Sequence, residues 1–137
     1  MEKTLLIAGC GIFVLLGAIH LAYTVFTDKF NARDPRLTED MKRVSLVLTR
    51  RTSMWKAWIG FNASHSLGAM LFGALYIVIA VENYGYLRSS IPLNAMLLVV
   101  PLAYMLLAVR YWFRTPAIGI LLATLLILLS MVLPKIS

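Results

Sequence analysis

Four long apolar stretches, separated by short polar segments, occupy most of this 137-residue chain. They cover residues 5–26, 57–81, 91–109 and 117–133. At ~1.5 Å per helical residue, the first three are long enough to cross a hydrocarbon core of roughly 30 Å. The fourth lies near the lower limit. Hydrophobic residues make up 61% of the chain and charged residues 14%. So short a soluble protein could not hide that much apolar surface, so lipid has to cover much of it. The expected fold is all-α, an integral membrane four-helix bundle forming a single domain, 1–137.

Basic residues assign the sides of the membrane. Lys29, Arg33, Arg36, Lys42, Arg43, Arg50, Arg51 and Lys56 fall between the first two stretches, and Arg110 and Arg114 between the last two. The other face holds Lys3, Arg88 and Lys135. That bias predicts cytoplasmic basic segments and both termini outside, as in a bacterial inner membrane. Trp55, Trp58, Tyr111, Trp112 and Phe113 then mark the cytoplasmic interface, with Tyr84 and Tyr86 at the outer one. The net charge of +7 therefore points to anionic headgroups, not to nucleic acid.

The first connection carries structure of its own. Thr38 can cap a helix whose first turn holds Glu39 and Asp40. Leu37, Met41, Val44 and Leu48 recur at helical spacing. This predicts a short amphipathic helix over residues 38–50 lying in the headgroup region. Lys42, Arg43, Arg50 and Arg51 would then meet anionic lipid.

Cys10 is the single cysteine, which excludes an internal disulfide and a cysteine-built zinc site. Ile7-Ala8-Gly9-Cys10 looks like a lipoprotein box. Too few apolar residues precede Cys10, however, and the apolar run continues past it. Asn62-Ala63-Ser64 matches a glycosylation sequon but lies inside a stretch that a transferase could not reach.

His20 and His65 are the residues that could carry chemistry. They lie at ~9 and ~12 Å below one interface, judged from the rise per residue along consecutive stretches. Tyr23 and Thr24 follow His20 one turn on, and Asn62 precedes His65 by three. Each histidine thus belongs to a polar stripe that should face protein, because an unpartnered amide or imidazole in hydrocarbon is costly. Gly60, Ser64 and Gly68 repeat at four-residue spacing, with Ala69 and Gly73 on an adjacent stripe. Such patterns let membrane helices approach closely, and they place the second stretch at the bundle's centre. The fourth, almost uniformly Leu and Ile, should face lipid.

Four readings of the histidine pair follow. It can be a structural hydrogen-bonded pair, or the axial ligand set of a b-type haem, with Gly17 and Gly68 leaving room for the macrocycle. It can hold zinc, although a third strong ligand is missing at that depth. It can also carry protons in a membrane enzyme acting on a lipid or quinone. Coupled transport is disfavoured because no Asp or Glu lies within the stretches. Serine hydrolysis lacks an orienting carboxylate. With no nucleophile–base pair and no nucleotide loop, the leading expectation is a non-enzymatic subunit or helper, with no cofactor assigned. Its partners would be the bilayer and either further copies or a larger membrane complex.

Overall fold

A computed structural model describes residues 2–133. Its five helices are α1 (Glu2–Phe26), α2 (Pro35–Arg43), α3 (Met54–Ser89), α4 (Ile91–Tyr111) and α5 (Arg114–Val132). All but α2 are long and apolar enough to cross a membrane. The protein is therefore all-α, with four candidate spans and a short helix between the first two. Lys135, Pro134 and Ser137 lie outside the described residues. The chain divides into two compact units, Met1–Leu16 with Ala69–Ser137, and Gly17–Gly68.

The larger unit is built on close backbone approach. A Cβ on Gly73 would meet the carbonyl of Cys10, and one on Gly9 would come within 2.9 Å of the Ala123 carbonyl. Cys10 and Phe13 are wholly buried in consequence. Phe13 lies edge-on to Phe72 at 5.1 Å and to Tyr104 at 5.4 Å, the geometry aromatic quadrupoles favour. On α5, Ile120, Ala123, Thr124, Ile127 and Ser130 are buried. This corrects the expectation that the fourth span simply faces lipid. Its small and hydroxyl-bearing residues share one face, and the hydroxyls of Thr124 and Ser130 donate to carbonyls of their own helix.

Helix ends explain the remaining differences. The second span was expected to close at 81, yet α3 continues to Ser89 through a non-helical Asn83 (φ −150°, ψ 73°). Asn83 Oδ1 accepts the Tyr86 N–H at 3.0 Å, so its side chain caps a second helical segment. Asn94 then ties α3 to α4, donating to the carbonyls of Leu87 at 2.9 Å and Ser90 at 2.8 Å. Helix α4 runs through Pro101 as one element, and Pro116 stands inside the first turn of α5 rather than ahead of it.

In the smaller unit, α2 begins earlier and ends sooner than expected. Its cap is Asp34, which accepts the Arg36 N–H at 2.9 Å, and Pro35 occupies the first turn. Thr38 is a buried residue of that helix, not its cap. The helix stops at Arg43 because Ser45-Leu46-Val47-Leu48-Thr49 mixes β-branched and backbone-competing side chains, and the chain turns back instead. Of the expected apolar stripe, Leu37, Val44 and Leu48 are exposed and only Met41 is half-buried.

Candidate functional site

The site is carried by two helical segments of the smaller unit, α1 beyond Gly17 and α3 before Gly68. His20 Nε2 lies 3.0 Å from Asn62 Oδ1. The Asn62 amide is oriented by its other arm, which donates to the Trp58 carbonyl at 2.9 Å. With that arm fixed, Oδ1 is the acceptor and His20 Nε2 carries the proton. Trp58 in turn donates its indole N–H to the carbonyl of Phe30 at 3.2 Å. The Phe30 ring lies 4.5 Å from the His20 ring, which closes the circuit. His65 meets His20 edge to face, with ring centroids 5.6 Å apart.

Three of the five sequence-predicted polar residues, His20, Asn62 and His65, thus come together. Thr24 is buried but donates to the His20 carbonyl at 2.8 Å, so its hydroxyl serves its own helix. Tyr23 is partly exposed, and Lys29 Nζ stands 3.8 Å from its ring centroid. Ser66 is buried with its hydroxyl on the Asn62 carbonyl, while Ser64 is exposed and donates to the Phe61 carbonyl. Neither serine is placed as a nucleophile.

Phe30 was not among the expected site residues. It lies in an irregular connection where no periodicity marks it; its aromatic character just beyond a span was the one available signal. Glu2 and Arg88 were also missed. In the larger unit, Arg88 reaches Glu2 at 3.7 Å and donates to the carbonyls of Ser130 at 3.0 Å and Met131 at 3.1 Å. It so satisfies carbonyls that the end of α5 leaves without intrahelical partners.

The packing residues separate. Gly60, Ser64 and Gly68 are exposed, with nothing within 4 Å of a Cβ built on Gly60. Ala69 is buried and Gly73 makes the close approach described above. Of the basic residues, Lys42, Arg50 and Arg51 line a small polar cavity together with Lys56, and Arg43 is exposed away from it.

The histidine geometry does not suit haem between the rings. Axial ligation requires the two imidazoles to point at one iron across a flat macrocycle, whereas here ring edge meets ring face. The Nε2 atom of His20 is also engaged by Asn62. Among the described residues no three His, Cys, Asp or Glu side chains group as a metal site would need.

A double-mutant cycle on His20→Ala and Asn62→Leu, read by unfolding in detergent, is expected to give a coupling of about 0.6–1.7 kcal/mol, the range for hydrogen bonds between membrane helices. A coupling near zero would remove the bond from the account. The purified protein should be colourless; a Soret band lost in His20→Ala and in His65→Ala would restore the haem reading. Compared with known protein families, curated proteins and solved structures, the chain shows no match to any.

Proposed function

We propose that this small polytopic membrane protein is a non-enzymatic subunit or helper, held by helix contacts to further copies of itself or to a larger membrane complex. The observation that carries this reading is the outward position of Gly60, Ser64 and Gly68 on α3. Small residues at four-residue spacing form a groove that another helix backbone can enter, and association in lipid is driven by such close packing. Lipid tails gain little from a groove of that shape. The Ser64 hydroxyl is already satisfied within its helix, so a second helix meets no unpaired donor there.

The His20–Asn62–His65 group supports the same reading from inside the unit. Asn62 bonds His20 through its oxygen and the Trp58 carbonyl through its nitrogen, which supports reading the group as a clasp between α1 and α3. The Lys and Arg bias supports a cytoplasmic position for the connection between α1 and α3. A membrane-impermeant thiol reagent that modified Val47→Cys from outside intact cells would reverse that orientation.

Gly60→Leu combined with Gly68→Leu tests the groove. The double variant should fall from an assembly to a monomer in mild detergent, read by native mass spectrometry, while its helical content, read by circular dichroism, stays that of wild type. A wild-type protein that is monomeric and turns over a lipid or quinone would sink the proposal.

A further inference from the structure

Between α2 and α3 the chain forms a compact loop. The Met54 N–H donates to the Val44 carbonyl at 2.9 Å, and Ser45 pairs with Ser53 in an isolated antiparallel bridge. At the tip, the Thr49 N–H donates to the Leu46 carbonyl at 3.3 Å. Val47 and Leu48 therefore hold the two central positions of a tight turn. Those positions ordinarily take Gly, Pro, Asn, Asp or Ser. Val47 is fully exposed and Leu48 is 90% exposed. An apolar pair at a turn tip is costly in water and favourable in an apolar medium.

Beside this tip lies a shallow cavity of about 240 Å³, open to solvent. It is lined by the cations Lys42, Arg50, Arg51 and Lys56 and by the hydroxyl residues Ser45, Thr52 and Ser53. Lys42 alone has a carboxylate partner, Glu39 at 2.7 Å, and that contact holds the Glu39 carboxyl below its usual range. Arg50, Arg51 and Lys56 make no ion pair among the described residues. Uncompensated cations around one cavity repel each other, and an anion between them turns that repulsion into attraction. A depression of that size, open to solvent on one side, has room for a phosphate group that keeps part of its hydration. It falls below the roughly 300–1,000 Å³ typical of organic-ligand pockets. Guanidinium forks and hydroxyl donors suit phosphate oxygens.

Position along the chain selects the source of that phosphate. Lys56 directly precedes the apolar stretch 57–81 of α3, a helix long and apolar enough to span a membrane, which favours headgroup level for the cavity. We infer that the 44–54 loop is a phospholipid-binding element: its cavity takes the phosphate of an anionic phospholipid while Val47 and Leu48 enter the acyl boundary. This inference does not depend on the subunit reading.

The test uses full-length protein in neutral detergent, titrated with dioleoylphosphatidylglycerol or dioleoylphosphatidylcholine and read by thermal shift and native mass spectrometry. Phosphatidylglycerol should bind and raise the melting temperature, and phosphatidylcholine should not. Arg50→Gln with Arg51→Gln should weaken phosphatidylglycerol binding about 25-fold, at roughly fivefold per charge near a membrane surface. Arg36→Gln, equally basic and off the cavity, should change it less than twofold. Equal losses per charge removed, about fivefold for Arg36→Gln, would replace the cavity with diffuse attraction. Should the double variant not fold, Lys56→Gln gives the one-charge version, and unchanged affinity there overturns the site. Inorganic phosphate that displaced phosphatidylglycerol at equal concentration would assign the cavity to free phosphate and end the lipid assignment. A spin label on Val47→Cys reports insertion directly, since Cys10 is buried beyond the reagent. In phosphatidylglycerol vesicles the label should be open to oxygen and shielded from a water-soluble nickel chelate. Free access of the chelate overturns the inference.

Discussion

Gly73→Leu is expected to leave little folded protein. A Cβ at this position already meets the Cys10 carbonyl, and it stands 3.2 Å from the Phe13 Cβ. Both atoms belong to rigid parts of α1, so a rotamer change at Val14, whose Cγ2 stands 2.8 Å from the same Cβ, cannot relieve them. Overpacking a core typically costs about 1–3 kcal/mol when neighbours can shift. Here the main chain must move, and a cost of roughly 3 kcal/mol or more is a large share of the ~5–15 kcal/mol that holds a domain folded. Gly73→Ala carries the same Cβ and should already reach the top of the ordinary overpacking range, about 3 kcal/mol. Gly60→Ala, which meets nothing, should not destabilise. Unfolding curves in detergent will order the three, and a Gly73→Leu variant as stable as Gly60→Ala would contradict the packing described.

Arg88→Met should lower stability by roughly 2–4 kcal/mol. Removing one partner of a buried ion pair costs about 3–5 kcal/mol, because the other charge stays behind without it. The lower figure applies since Arg88 keeps 21% of its side-chain surface exposed, against 8% for Glu2. Much of the loss arises at the far end of the side chain, where the Ser130 and Met131 carbonyls lose their donor. Glu2→Gln, which keeps those bonds, should cost less than half as much. If the two variants matched, the ion pair and not the carbonyl cap would be the dominant contribution.

The spans were legible because a run of apolar residues states its solvent directly, whatever its neighbours are. The encounter of His20 with Asn62 follows from rise per residue along two consecutive helices. What the sequence concealed was set by competition between local signals. Asp34-Pro35 and Thr38-Glu39-Asp40 are both reasonable helix starts, and the aspartate with proline prevailed because proline's fixed φ suits the first turn. The apolar spacing of Leu37, Met41, Val44 and Leu48 mimicked a continuous helix. It was broken by Ser45, Val47 and Thr49, whose preference for extended or turn backbone leaves no mark on a hydrophobic period. Arg88 was counted as a surface charge, since a count of basic residues takes no account of how far a guanidinium can reach. Phe30 joined the site through its backbone carbonyl, which any residue would supply, and through a ring contact with His20 that no periodicity marks. The partition between buried Ala69–Gly73 and exposed Gly60–Ser64–Gly68 was equally hidden, for both stripes satisfy the same spacing rule.

The grip on α1 bears on how the chain is assembled as it is made. Gly9 lies against Ala123 and Ile127, which are synthesised more than a hundred residues later. At roughly 5–20 residues per second, the first span waits on the order of ten seconds for the helix that completes its seat. Until then its glycine face is open to whatever else is in the translocation site, and a helix-holding factor there would determine the yield. Truncation after α4 should therefore give a first span that inserts but is degraded, a defect of biogenesis with no counterpart in the finished protein.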